Sequence, residues 1–248
     1  MKIWQNYFEY NRGHRLEIAW DRDLVIDPEL QKPLIRSLQK FQLGESGEGF
    51  HLRRKVRNAG DPPYEAAIDL FIKEENEHAR LMGLILENLG APLLRHHWSD
   101  GCFVLLRRLF GLNSEILVLL MPEMIAKRYF RALHDGFSDP TLRAVCTQIL
   151  HDEQGHVAFH VHSLHEAFRS MPVLVRAAVR ALWKFVYRMA CLVVLVDHRA
   201  ILRGSGLSLT AFWWDCGLIF DEVAAGIFSL APAPAFHTLD PALNAEPA

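Results

Sequence analysis

The sequence predicts an all-α fold: a four-helix bundle with a long crossover between its second and third helices, followed by two further C-terminal helices. Three observations predict it. Apolar residues recur every three or four positions over long stretches, the helical period, while alternating strand-like runs are scarce. Gly and Pro clusters cut those stretches into segments of bundle length. The connections run short, long, short, as expected when one crossover joins two helical hairpins.

The first helix is expected from about Pro33 to Asn58, ended by Gly60-Asp61-Pro62-Pro63, and the second from about Tyr64 to Leu89, ended by Gly90-Ala91-Pro92. The crossover then spans Leu93 to Leu112, with a short helix that Ser99 or Asp100 can cap. A third helix follows from about Asn113 to His134, with Pro122 removing one of its hydrogen bonds, and a fourth from about Pro140 to Arg169. Helices over Pro172 to Arg203 and about Leu207 to Ser229 complete the set. The chain thus divides into an N-terminal extension (1–32), the bundle (33–170), a helical extension packed on it (171–230) and a flexible Pro- and Ala-rich tail (231–248).

Half of the 248 residues are apolar, enough for a large core. The net charge of -2 gives no reason to expect nucleic acid, so Arg53-Arg54-Lys55 and Arg107-Arg108 read as solvated faces. Cys102, Cys146, Cys191 and Cys216 are too scattered for a zinc knuckle or a disulfide framework. With no signal-like apolar core near Met1, a reducing, cytoplasmic setting is expected. In the fifth helix Arg176, Arg180, Lys184 and Arg188 interrupt the apolar run, so it is too short to span a membrane. An amphipathic helix packed on the bundle is expected there, with a membrane-surface helix as the alternative.

The chemistry lies on the inward faces. In the second helix the stripe Tyr64, Ile68, Phe71, Glu75, His78, Met82 places a Glu-x-x-His pair on an apolar face; Ile149, Glu153, His156 and His160 repeat this in the fourth. The first helix offers Glu45 or Glu48 and the third Glu123. Glu45 precedes Glu75 by 30 residues, and Glu123 precedes Glu153 by 30. An unpartnered carboxylate in a dry interior costs several kcal/mol, so such groups take a counter-charge, a proton or a metal. Four carboxylates balance two divalent cations, and two neutral imidazoles leave that balance intact. Oxygen-rich ligands with two imidazoles suit iron or manganese, with zinc as an adventitious occupant. A lone Glu-x-x-His carries little weight, since Glu48 and His51 form a third by chance; the repeat and the crossover carry the expectation.

At these residues the chain resembles the ferritin-like di-iron carboxylate superfamily, whose bundles take one Glu from each of two helices and a Glu-x-x-His from each of the others. Gly44-Glu45-Ser46 is similar to the Gly-Glu-Ser of rubrerythrins, which favours Glu45 over Glu48. The pairs Glu74-Glu75 and Asp152-Glu153 resemble those of di-iron oxygenases and ribonucleotide reductase small subunits. That resemblance implies that Glu74 and Asp152 hold the ligand imidazoles. Tyr129 resembles a tyrosine common beside such ligands, and His160 an additional ligand of N-oxygenating relatives. His151, His162 and His165 are expected at the surface, and Glu77 on a wet face. The rubredoxin-like Cys-x-x-Cys module of full rubrerythrins is missing, and the C-terminal helices exceed a ferritin subunit.

The implied activity is oxidation of a small, partly apolar substrate with dioxygen, by a monomer or homodimer whose electron donor the sequence does not name. The fifth helix is expected to wall a channel, with Asp197 and His198 as candidate contacts. Gly44, Gly47 and Gly49 are expected either to leave space beside the metals or to mark close packing or a break. Two rivals stand beside this reading: non-enzymatic iron storage, and a metal-free helical interaction protein.

Overall fold

The structure, a computed structural model, describes residues 1–97 and 111–229. Among these residues every regular element is a helix: α1 (Lys2–Gly13), α2 (Pro28–Glu45), α3 (Phe50–Ala59), α4 (Pro62–Asn88), α5 (Leu112–Gly136), α6 (Pro140–Phe168), α7 (Val173–Asp197), α8 (Arg199–Gly204) and α9 (Leu209–Phe228). The expected short helix after Ser99 and the tail from residue 230 lie outside the described residues. No described helix is long and apolar enough to cross a membrane.

Local chemistry sets the starts. Asp27, Asp61 and Asp139 each accept a backbone N–H of the first turn, from Glu29, Tyr64 and Leu142, and each is followed by proline, whose missing N–H costs nothing there. Asp61-Pro62-Pro63 therefore opens α4 rather than only closing the preceding segment. Likewise α2 begins at Pro28, not Pro33, which sits inside it.

Two antiparallel pairs form the centre. Leu24, before α2, donates to Asn88 at the end of α4 (2.8 Å), whereas Asn76, midway along α4, donates to the carbonyl of Gly47 beyond the end of α2 (2.8 Å). Residues 137–139 fold α6 back along α5, with Arg143 donating to the His134 carbonyl (3.0 Å). Contact of α4 with α6 joins the pairs. The N-terminal segment is part of this core, because α1 packs along α4 and buries Trp4 and Phe8 completely.

The single first helix expected over residues 33–58 is broken at Ser46–Gly49. Gly49 is left-handed (φ +60), and a Cβ there would stand 2.4 Å from Ile72 Cδ1, so only glycine fits between the segments. Close packing and a break are thus both present, whereas Gly44 and Gly47 face open space. The fifth helix is also interrupted. His198 leaves the helical path and is buried with its Nδ1 on Ser37 Oγ (2.6 Å), and the short α8 follows.

The C-terminal helices pack on the centre as expected. Trp183 Nε1 donates to the Leu117 carbonyl (2.8 Å), Lys184 pairs with Asp221 (2.7 Å), and Tyr187 donates to the Cys216 carbonyl (3.0 Å). Two surface expectations fail here. His165 is buried beneath α9 with Nδ1 on the Gly226 carbonyl (3.1 Å), and Lys55 pairs with buried Glu115 (2.7 Å) instead of sitting on a solvated face. Gly49→Ala is expected to cost about 1–3 kcal/mol of stability through its left-handed backbone and the Ile72 clash, read by denaturant unfolding.

Candidate metal centre

The period of three places Glu75 and His78 on adjacent turns of α4, and Glu153 and His156 likewise on α6. In the structure each of these four offers a ligand atom, all within 4.8 Å of one another. His78 Nδ1 lies 3.8 Å from Glu75 and 3.7 Å from Glu153. His156 Nδ1 lies 2.9 Å from Glu75, 3.2 Å from Glu123 and 4.0 Å from Glu153. Three carboxylates thus surround one ring nitrogen.

The opposite ring nitrogens are held in a crossed pattern. Asp152 of α6 bonds His78 Nε2 of α4 (2.9 Å), and Glu74 of α4 bonds His156 Nε2 of α6 (3.0 Å). Both histidines therefore turn Nδ1 toward the cluster. Above these acids, buried Asn11 donates to Glu74 (2.8 Å) and to Asp152 (2.9 Å), and Arg15 donates to Asp152 (2.6 Å). Gln148 adds a further bond to Asp152 (2.9 Å). The anchors Asn11 and Arg15 come from the N-terminal segment, where sequence reasoning sought no function. A signal was present: Trp4, Phe8 and Asn11 continue one helical stripe, so the asparagine sits on a buried face.

Electrostatics shows how costly the cluster is. Burial, aided by the Glu75 carboxylate, raises the Glu45 carboxyl well above its ordinary range, although the residue is only half-buried. Burial and the neighbouring Glu123 do the same to Glu153, and burial raises Glu75. Burial opposes the charge of Glu123 as well, but the bond to His156 outweighs it and leaves the group at about 2. For His156, burial favours the neutral ring, yet bonds to Glu123, Glu74 and Glu75 overcome it and raise the pKa well above normal. The shifts of Glu45, Glu153 and His156 all favour the protonated form, which lessens the net negative charge of the cluster.

That compensation is incomplete. Glu75 Oε1, His78 Nδ1 and both Glu153 oxygens are buried without a hydrogen bond, although Glu75 Oε1 is close to His156. Each such atom costs about 1–3 kcal/mol. Buried His160, one turn beyond His156, has both ring nitrogens unbonded, and burial lowers its pKa to about 4. These oxygen and imidazole donors are of the type that binds iron, manganese or zinc.

The remaining predicted residues fall elsewhere. Glu48 is exposed, and it is Glu45 that feels Glu75, Glu123 and His78. Tyr129, one and two-thirds turns beyond Glu123, stacks on Phe41 (4.1 Å), and its hydroxyl pairs with Ser37, which in turn bonds His198. Glu77 lies on the outer side, paired with Arg80 (2.7 Å).

A cavity of about 670 Å³ borders Glu45, Glu75 and Glu123. Its far wall is the inner side of α7, with Val186, Ala190 and Val193, and its outer end carries Lys40, paired with Asp197 (3.0 Å), and His198. Gly44 and Gly47 line it too, so their missing side chains leave space beside the cluster. No family model, curated protein or solved structure matches the chain. Asn11→Leu should destabilise the metal-free protein by about 1–3 kcal/mol, since two buried carboxylates lose a shared donor; urea unfolding measures it.

Proposed function

We propose that the chain is a ferritin-like di-metal carboxylate protein that uses an iron pair to oxidise a small, partly apolar substrate with dioxygen. Manganese is the alternative pair, and zinc an adventitious occupant. One observation carries this reading: Glu75, His78, Glu153 and His156 bring ligand atoms together beside Glu45 and Glu123, and Glu75 Oε1, His78 Nδ1 and both Glu153 oxygens are buried there without a hydrogen bond. Two divalent cations would neutralise the four carboxylates and relieve those unpaired atoms together.

A bound iron pair supplies the redox chemistry of dioxygen activation. The chain supplies the rest. Glu74 and Asp152 fix each imidazole with Nδ1 toward the cluster, and the Phe71 ring stands edge-on to His156 (4.7 Å) and His160 (4.8 Å), limiting ring rotation. His160 is the candidate for a seventh ligand. Glu45, Glu75 and Glu123 stand between the cluster and the cavity, so a substrate with apolar surface meets the centre there, flanked by the aliphatic wall of α7. This bordering cavity favours an oxidase or oxygenase over iron storage.

Metal analysis of protein from iron-replete cells, with anomalous scattering from its crystals, is expected to find two transition-metal ions per chain on these residues; protein that never takes up metal overturns the proposal. Glu45→Ala and Glu153→Ala should each lower that stoichiometry, and Glu48→Ala should not. Asp152→Asn should weaken metal binding roughly 10–100-fold.

Burial raises the Glu45 and Glu153 carboxyls, and the bonds to Glu123, Glu74 and Glu75 raise the His156 imidazole, so all three are shifted toward their protonated forms in the metal-free protein. Metal uptake must therefore release protons, and apparent affinity should rise with pH. Calorimetry in buffers of different ionisation enthalpy reads the number released. A native mass corresponding to a large hollow shell would instead indicate storage.

A further inference from the structure

The outer face of α7 is apolar along its length. Val175, Ala178, Leu182, Phe185, Met189, Leu192 and Val196 follow one another in steps of three, four, three, four, three and four, and all are exposed. This is the heptad spacing of a helix–helix seam, about 30 Å long. Leu182 is 65% exposed and Phe185 62%, unusual for large side chains without a covering element. On α9, which packs beside α7, Trp214 and Leu218 are also exposed.

Two physical arguments identify what covers this face. The bare portions of these side chains amount to on the order of 1,000 Å², above the few hundred Å² usual for a monomer's patch and enough for the roughly 800 Å² each partner contributes to a stable interface. The charged residues of α7 are all directed elsewhere. Arg176 is buried, Arg180 and Lys184 pair with Asp221 (3.5 and 2.7 Å), Arg188 lies over the Trp213 ring and donates to its carbonyl (2.7 Å), and Asp197 pairs with Lys40. Among the described residues of α7 no cation is left on the seam for anionic lipid headgroups, and none of their charges obstructs an identical apolar stripe.

We infer that the α7 seam binds a second copy of this chain, α7 against α7 about a two-fold axis, giving an isologous homodimer. The seam borders the cavity through Met189, which is both exposed and part of the cavity lining. The partner's helix therefore covers the flank of the cavity beside the carboxylate cluster.

Light scattering and sedimentation of the full chain at micromolar concentrations test this independently of metal content. The expected result is a particle of twice the 28.4 kDa chain mass, with Leu182→Glu and Phe185→Glu each weakening association about 100-fold or more. A Glu9→Lys control, on the exposed side of α1, should stay dimeric. If a glutamate variant fails to fold by circular dichroism, Met189→Gln replaces it and should also weaken the dimer. A monomeric wild-type chain overturns the inference, as does a dimer that survives the seam variants. Co-sedimentation of a monomer with phosphatidylcholine vesicles would assign the face to a lipid surface and overturn it too.

Discussion

Like charges crowded into a dry interior constrain the whole centre of this molecule. Glu74, Glu123, Asp152 and Glu153 are buried and the half-buried Glu45 and Glu75 crowd against them, so each needs a proton, a donor or a cation. Asp152 and Glu74 are satisfied by histidine nitrogens, Asn11 and, for Asp152, Arg15. The inner acids are satisfied only in part: His156 Nδ1 reaches Glu123 and Glu75, while both Glu153 oxygens have no hydrogen bond. A cluster left in that condition is the basis of the metal site proposed above.

The crossed bonds have a structural consequence as well. Because Asp152 reaches from α6 to His78 and Glu74 from α4 to His156, the acids fix the register of the two pairs of helices against each other. Asn11 closes the arrangement from α1, which ties the N-terminal segment to the cluster. Around this polar centre, aromatic and aliphatic side chains raise the cost of any unsatisfied atom. The unsatisfied atoms of the cluster lower stability, and apolar packing elsewhere has to offset them.

The break in the first expected helix connects backbone chemistry to the cavity. Helix α2 stops at Glu45, so that carboxylate lies at a helix end, next to the space left by Gly44 and Gly47. Gly49 then turns the chain tightly over Ile72. On the opposite side α7 presents two apolar faces, one toward the cavity and one outward. A helix packed on a core usually has a single such face, and the second is the one proposed above to meet another copy of the chain.

Much of the architecture was legible in residue order. Apolar periodicity and Gly- and Pro-containing turns locate α4 and α6 to within a few residues, and a period of three puts Glu75 with His78 and Glu153 with His156, because helical geometry is local. The repeated spacing of thirty residues between the halves marked Glu45 and Glu123, with the Gly44-Glu45-Ser46 resemblance favouring Glu45 over Glu48. Sequence could not show that Asn11 and Arg15 stand over Glu74 and Asp152, that His165 is covered by α9, or that Tyr129 turns toward Ser37 and His198. Those relations join residues far apart in the chain, and only the packing of whole helices sets them. The periodic pattern alone thus determined the helices and the face each acid occupies, while tertiary structure decided which acid meets which histidine, since that depends on the distance and register between helices.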